Sequence, residues 1–237
     1  GNLTDVVVQG DKDNDTIAVS GSFLNATING NDGADAITVN ALTSFTNSTV
    51  FGGEGGDGIN AVAAGVAVYL SGDEGNDTLI GGAGNDSING GDGADRMTGT
   101  GPGADTYLYT SAAQTGTVAT GVIDVITDFT SLTLTLAIKD TIQGFGLAGV
   151  QGVNYLEGVG GASYGSALAA ANAAFAVPGT NTQYFLASYG AGAGTFSAVL
   201  FIDLGSTGTA QGAIQVTANE LDGLAALDSF AAGNILA

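Results

Sequence analysis

Large apolar residues recur at a fixed position behind glycine-rich acidic segments in the first 108 residues. Two consecutive copies, residues 81–89 and 90–98, have glycine at positions 1, 2 and 4, aspartate at position 6 and an apolar residue at position 8. Five more copies align on the aspartate, at 10–17, 30–37, 52–59, 72–79 and 100–107; the last lacks its first glycine. Nine-residue repeats of this kind are typical of a parallel β-roll, in which six residues form a turn and three form a short strand. Its thin core would hold the eighth-position residues Ile17, Ile37, Ile59, Leu79, Ile88, Met97 and Tyr107.

The distances between the aspartates predict on which edge of the roll each one lies. Asp15, Asp35, Asp57, Asp77, Asp86, Asp95 and Asp105 are separated by 20, 22, 20, 9, 9 and 10 residues. Because two nine-residue repeats complete one coil, aspartates about one coil apart should share an edge. We expect one edge to stack Asp15, Asp35, Asp57, Asp77 and Asp95, and the other to hold only Asp86 and Asp105.

The second edge lacks aspartate in the early coils. The missing turns should lie at residues 20–25, 40–48 and 60–65, which have no sixth-position aspartate. Each is followed by a predicted short strand, at 26–28, 49–51 and 67–69. The sequence therefore predicts a roll with unequal edges.

The repeat pattern ends near residue 108, which divides the chain into two predicted domains. Residues 1–108 would form a right-handed parallel β-roll, and residues 109–237 a β-rich C-terminal capping and secretion-signal region, so the fold class is dominated by β-structure. Segments 122–129, 132–138, 182–189, 195–204 and 213–218 are typical strands, and we expect the last three to be antiparallel. The Ala-rich segment 163–175 predicts one helix that ends before Pro178 and Gly179.

Composition removes several classes of function. The 237 residues contain 23 acidic and three basic side chains, a formal net charge of −20, with no histidine or cysteine. Nucleic acid and anionic membranes are poor partners for such a chain. No His- or Cys-based catalysis, zinc site or disulfide is available, and no apolar run is long enough for membrane insertion. Because the chain starts at Gly1 without a basic, apolar leader, we expect a fragment of a longer protein.

The nine-residue pattern resembles the calcium-binding repeat of the repeats-in-toxin (RTX) family. The resemblance extends over essentially the whole chain, through Asp105-Thr106-Tyr107, residues 124–129 and residues 200–203. It implies several calcium ions bound by the seven aspartates and turn carbonyls. It also implies extracellular localisation and type I secretion through an uncleaved signal, here about residues 221–237. The stretch 130–138 is longer than is usual in the family. The implied metal-site residues are Asp15, Asn31, Gly33, Asp35, Gly53, Gly55, Asp57, Asp73, Gly75, Asp77, Gly82, Gly84, Asp86, Gly91, Gly93, Asp95, Gly101, Gly103 and Asp105.

Elementary electrostatics supports a cation in these turns. Calcium takes six to eight oxygen ligands, and glycine lets a turn direct its carbonyls inward. Carboxylates on adjacent strands, about 4.8 Å apart, repel each other by about 3 kcal/mol at an effective dielectric constant of 20. A cation between them converts this repulsion into attraction, so that calcium binding and folding are coupled. One such segment alone could equally be a solvated acidic turn; seven copies in phase favour calcium.

Three functional hypotheses follow. A carboxylate-only glycosidase is possible in principle, for example with Asp124 and Asp128, but alternating aspartates on a strand more often cap turns or bind calcium, so we expect no enzyme. The favoured hypothesis is a structural subunit of a bacterial surface (S-) layer that resembles RTX-type S-layer proteins, with calcium bridging neighbours into a lattice. The alternative is a calcium-triggered folding and export tail of a secreted enzyme, toxin or adhesin.

Overall fold

The structure is a computed structural model that describes residues 3–129, 141–144, 155–159, 163–177, 182–188, 196–204, 207–218 and 235–236. It divides into two compact units, Gly1–Leu108 and Tyr109–Ala237. Among the described residues, no helix is both long and apolar enough to cross a membrane.

The first unit is a solenoid in which the chain alternates between two parallel sheets. Odd-numbered strands form sheet one and even-numbered strands form sheet two, each strand pairing with the equivalent strand of the next coil. Sheet one contains β1 (Leu3–Thr4), β3 (Thr16–Leu24), β5 (Ala36–Thr46), β7 (Gly58–Asn60), β9 (Thr78–Ile80) and β11 (Arg96–Thr98). Sheet two contains β2 (Val7–Gln9), β4 (Thr27–Asp32), β6 (Thr49–Glu54), β8 (Tyr69–Glu74), β10 (Ser87–Asp92) and β12 (Thr106–Leu108). The predicted parallel β-roll is confirmed.

The core of the roll consists of one inward side chain per short strand. In sheet one Ile37, Ile59, Leu79 and Met97 are fully buried, and the register pairs Ile37 with Ile59, Ile59 with Leu79 and Leu79 with Met97. Sheet two contributes the matching column Ile28, Val50, Leu70, Ile88 and Tyr107. The predicted eighth-position core is therefore confirmed; Ile17, in the first coil, is only half-buried.

Two of the three predicted aspartate-free turns are wrong. Residues 20–24 continue β3 and residues 40–46 continue β5, and these extensions pair with each other beyond a bulge near Ser20. These segments remain in the strands because each extension buries an aromatic side chain, Phe23 in β3 and Phe45 in β5. The third segment, 60–65, does leave the strand, but the next strand starts at Tyr69, so residues 67–68 lie before it rather than in it.

Where the structure describes it, the second unit begins with a short 3₁₀ turn, Ala112–Thr115, followed by strands and one helix. Its elements are β13 (Gly116–Thr117), β14 (Val122–Ile126), β15 (Thr141–Gln143), β16 (Tyr155–Val159), α1 (Tyr164–Phe175), β17 (Tyr184–Ser188), β18 (Phe196–Ile202), β19 (Gly212–Ala218) and β20 (Ile235–Leu236). One sheet has the order β14-β19-β18-β17-β16, with β17–β18 and β18–β19 antiparallel. The predicted antiparallel strands are confirmed; β17 and β18 are slightly shorter than predicted, and β19 begins one residue earlier.

The predicted helix is confirmed as α1. Ser163 caps its N-terminus by accepting a hydrogen bond from the Ser166 N–H in a capping box. Ala167, Ala171 and Phe175, spaced by four residues, bury one face against the core that contains Phe185 and Phe201. The predicted strand 132–138 lies outside the described residues, as does the predicted secretion signal 221–237 except for Ile235–Leu236.

Asp203, in the 200–203 motif, organises the loop that follows β18. The side chain is fully buried, and its two oxygens accept hydrogen bonds from the Thr207 N–H at 3.0 Å and the Gly208 N–H at 2.8 Å. Gly208 has φ +78°, which suits glycine. The role of this aspartate in the second unit is therefore to close a turn.

Candidate calcium sites on the two edges of the roll

We call edge one the set of turns that precede the sheet-one strands, and edge two the set that precede the sheet-two strands. On edge one, the Oδ1 of each aspartate after Asp15 accepts the backbone N–H of the aspartate one coil earlier. The donor–acceptor distances are 2.7 Å from Asp15 to Asp35, 2.7 Å from Asp35 to Asp57, 2.7 Å from Asp57 to Asp77 and 2.9 Å from Asp77 to Asp95. The predicted five-aspartate column is confirmed.

Edge two carries a shorter column of the same kind. Asp105 Oδ1 accepts the Asp86 N–H at 2.8 Å, and Asp86 Oδ1 accepts the Val68 N–H at 2.9 Å. Further towards the N-terminus Ser48 takes the equivalent place, and its hydroxyl accepts the Ala26 N–H at 3.0 Å. The predicted inequality of the two edges is therefore also confirmed.

The second carboxylate oxygens are what a metal ion would satisfy. Asp35, Asp57 and Asp77 are 2–3 % exposed, and their Oδ2 atoms are buried with no hydrogen-bond partner. A buried anionic oxygen without a partner is costly, so these three atoms require a cation or a proton.

A second oxygen, from the next coil, accompanies each of these Oδ2 atoms. A Cβ placed on Gly30 would collide with Asp35 Oδ2 and meet the Gly52 carbonyl oxygen. The same pairing of carboxylate and next-coil carbonyl recurs at four other first-position glycines, Gly10, Gly52, Gly72 and Gly81. Two oxygens from successive coils therefore converge beside one glycine Cα, a place that no side chain could share.

The other predicted site residues also form rows. The second-position residues Asn31, Gly53, Asp73 and Gly91 all have left-handed φ, as do the fourth-position residues Gly33, Gly55, Gly75 and Gly93. Carbonyl oxygens of one coil lie against the equivalent glycine of the next, as Gly33 against Gly55 and Gly84 against Gly103; Gly82 and Gly101 stack similarly on edge two. Each turn thus offers backbone oxygens along the column.

The last turn departs from the alignment drawn from the sequence. Gly99 occupies the first position, because its Cβ would collide with Asp105 Oδ2 just as the other first-position glycines meet their own aspartates. The turn has therefore not lost a glycine; it contains one additional residue, which explains the ten-residue spacing between Asp95 and Asp105.

Fifth-position asparagines are functional residues that the sequence analysis missed. The side-chain oxygens of Asn14, Asn76 and Asn85 accept the N–H of the fifth-position residue one coil later, at 2.9, 2.9 and 3.0 Å. The signal was present as a recurring Asn-Asp pair, in which the asparagine fixes the turn and the aspartate follows it.

Burial perturbs the acidity of the inner carboxyl groups. Desolvation, strengthened by the charges of Asp95 and Asp57, raises the pKa of Asp77 from 3.8 to about 7, although the Asp57 N–H bond opposes it. Burial raises the pKa of Asp95 to about 6 and also raises the pKa of Asp57 and Asp86. Without a cation, the folded roll therefore disfavours the charged form of these carboxyl groups.

The residues present fit calcium rather than a metal that needs several side-chain ligands. Among the described residues, no three carboxylates are grouped closely enough to hold an ion by themselves. The oxygens that do gather are one carboxylate per turn and backbone carbonyls, the hard donor set that calcium accepts. The seven aspartates with these turn carbonyls would hold it.

A separate acidic row runs along the outside of edge one. The row consists of third-position residues that are register partners in successive strands: Asp32, Glu54, Glu74 and Asp92. In the first coil, Lys12 Nζ lies 3.9 Å from Asp32 Oδ2. Glu54, Glu74 and Asp92 are exposed. This outward row gives edge one a second line of negative charge.

Comparison with known families agrees with this geometry. The family model of the RTX calcium-binding nonapeptide repeat, in four copies, matches residues 71–107. No curated protein matches the chain. The matched segment contains Asp77, Asp86, Asp95 and Asp105, and the edge-one column extends the same arrangement to Asp57, Asp35 and Asp15. The chain therefore carries RTX calcium-binding repeats folded as a β-roll, a structural, non-catalytic module of a secreted protein.

Proposed function

We propose that this chain is a calcium-dependent structural subunit of a bacterial surface layer, folded by extracellular calcium after type I secretion. The ligands are the carboxylates of Asp15, Asp35, Asp57, Asp77, Asp86, Asp95 and Asp105 with the turn carbonyls. The observation that carries this proposal is the set of buried Oδ2 atoms of Asp35, Asp57 and Asp77, which have no hydrogen-bond partner.

Calcium acts here as a folding switch. Extracellular modules bind calcium with dissociation constants of roughly 10⁻⁴–10⁻³ M, far above cytosolic concentrations. Without calcium, the column of like charges opposes the packing of the coils, which keeps the chain unfolded for passage through a secretion channel. Outside the cell, each ion bound by the folded roll stabilises it by mass action.

Assembly into a lattice is supported by the outward row on edge one. The carboxylates of Glu54, Glu74 and Asp92 are exposed, whereas the Oδ2 atoms of the inner column are buried. Calcium shared between the rows of two neighbouring subunits would remove the repulsion between these exposed charges. The absence of histidine and cysteine from the chain accords with a structural rather than a catalytic role.

The test is to follow the assembly state of the purified full chain by light scattering and electron microscopy while calcium is raised to millimolar levels. We expect compact monomers first and sheets or large oligomers at higher calcium. Glu54→Gln with Glu74→Gln should leave folding intact and reduce assembly. Asp13→Asn, which removes an exposed charge of the first coil outside this row, should leave both folding and assembly intact. A chain that folds but stays monomeric refutes the lattice and favours an export tail of a larger protein.

A further inference from the structure

Edge two changes its chemistry along the roll. Its sixth-position residues are Ala26, Ser48 and Val68 in the earlier coils and Asp86 and Asp105 in the last two turns. All five are buried. The earlier coils therefore present no carboxylate at the position that holds one throughout edge one.

A ladder of one carboxylate and two amide side chains lies where the repeat aspartates of edge two are missing. Asp5, Asn25 and Asn47 turn the chain with φ values of 54°, 53° and 49°, a left-handed conformation that Asn and Asp tolerate. Asn25 Nδ2 donates to Asp5 Oδ1 at 2.9 Å, and Asn47 Nδ2 donates to Asn25 Oδ1 at 3.4 Å. One left-handed residue per coil thus makes the corner without a glycine-rich loop.

An aromatic pair supplies the packing beside this ladder. Phe23 and Phe45 are 2 % and 7 % exposed, with ring centroids 6.1 Å apart and ring planes at 78°, an edge-to-face contact. Such a pair stabilises a fold through buried area and ring electrostatics, neither of which depends on an ion.

Ser48 completes the replacement at the sixth position. Its hydroxyl accepts the Ala26 N–H at 3.0 Å and donates to the Thr46 carbonyl at 3.1 Å. The hydroxyl therefore performs the structural task of an aspartate Oδ1 and leaves no buried charge for a cation to neutralise. We define the edge-two clamp as Asp5, Phe23, Asn25, Phe45, Asn47 and Ser48.

We propose that the edge-two clamp closes this edge of the first coils without calcium, so that these coils take calcium on edge one alone, whereas the last two turns also take it on edge two. The inference rests on the proposed calcium binding of the roll. The dependence of folding on calcium therefore differs along the roll. The last turns of the roll need ions on both edges, whereas the first coils replace the ions of edge two with apolar packing and amide hydrogen bonds.

The experiment measures how the unfolding free energy of the full chain varies with calcium concentration, because the slope gives the number of ions released on unfolding. Ser48→Asp places the repeat aspartate into the clamp, and Ser48→Ala is its matched control. We expect Ser48→Asp to raise the calcium midpoint of folding about tenfold, with an unchanged ion number, because it buries an uncompensated charge. Ser48→Ala should raise the midpoint less. Asp86→Asn should lower the ion number by about one.

The outcomes separate the two proposals. A Ser48→Asp chain that binds an additional ion, or that folds at lower calcium, overturns the clamp. If Ser48→Asp fails to fold at any calcium concentration, Phe45→Leu decides: an unchanged ion number with a higher midpoint supports the clamp, and a reduced ion number overturns it. A wild-type chain whose stability does not respond to calcium at all refutes the proposed function instead.

Discussion

Replacing Asp77 by asparagine distinguishes a metal-binding column from one that only forms hydrogen bonds. Asparagine keeps an oxygen for the Asp57 N–H, which Asp77 Oδ1 accepts at 2.7 Å. It removes the charge and replaces Oδ2 by the amide Nδ2, which can donate to the Gly90 carbonyl oxygen that lies with Asp77 Oδ2 beside Gly72. The substitution therefore preserves the structural contacts and changes only what a cation would recognise.

In the absence of calcium, this substitution should stabilise the roll. The pKa of Asp77 is raised from 3.8 to about 7, a difference of about three units, and one unit corresponds to 1.36 kcal/mol. Above pH 7 the ionised side chain therefore costs the folded state at most about 4 kcal/mol, which the neutral amide avoids. We expect Asp77→Asn to gain about 2–4 kcal/mol in chelator at pH 8.

In calcium most of this gain should disappear. The variant loses a charged ligand of its site, and at 10 mM calcium an ion bound with a dissociation constant of about 10⁻⁴–10⁻³ M contributes about 1.4–2.7 kcal/mol to the stability of the wild-type chain. We therefore expect 10 mM calcium to reduce the stability advantage of Asp77→Asn by about 1–3 kcal/mol.

Circular dichroism can follow both conditions. In chelator, folding is driven with trimethylamine N-oxide, which strengthens burial by exclusion from the protein surface; in calcium, unfolding is driven with urea. If Asp77→Asn shifts both transitions in the same direction by similar amounts, Asp77 is only a hydrogen-bond acceptor, and the ion-dependent column is refuted.

Three further predictions test separate parts of the structure. In chelator, β-structure should increase as the pH falls from 8 towards 5. The pKa values of Asp77 and Asp95 are about 7 and 6 in the folded roll against 3.8 in the unfolded chain, so the folded state binds more protons over this range. A circular dichroism signal that falls over this range would contradict the prediction. Gly55→Ala should cost about 1–3 kcal/mol or more in urea unfolding at saturating calcium, because φ is +127° and the Cβ would strike a carbonyl of the preceding coil. The control Gly56→Ala, whose Cβ would meet no backbone atom closer than 3.3 Å, should be nearly neutral. Equal losses of stability in the two variants would refute the role of the left-handed turn. Ser163→Ala should cost about 1 kcal/mol in thermal unfolding of the second unit by removing the helix cap, and an unchanged midpoint would show that the cap does not contribute.

The regular part of the calcium sites could be predicted because its signal is local. A turn of six residues fixes the glycines and the aspartate by spacing alone, and the same spacing predicts which aspartates stack. The hydrogen bonds from Asp57 to Asp77 and from Asp86 to Asp105 follow this spacing. The insertion in the last turn was misassigned because a single additional residue shifts the alignment of Gly99 without changing the motif around Asp105.

The clamp could not be predicted because its signal is non-local. Phe23 and Phe45 lie 22 residues apart, and neither belongs to a repeat position. Polar and small residues around them made the two segments resemble loops. Only the pairing of one extended strand with its neighbour brings the rings together and makes burial outweigh the turn-forming tendency of the surrounding residues.

Residue spacing along the chain specifies the period of the roll, the two columns of aspartate, the apolar core positions and the helix Tyr164–Phe175, because each depends on spacings of a few residues that the backbone geometry repeats. Contacts between coils specify which carboxylate oxygens remain without partners, which carbonyls face them from the next coil, and how edge two closes where aspartate is absent. These features arise between coils, from residues about 20 positions apart, where desolvation and packing outweigh local preference.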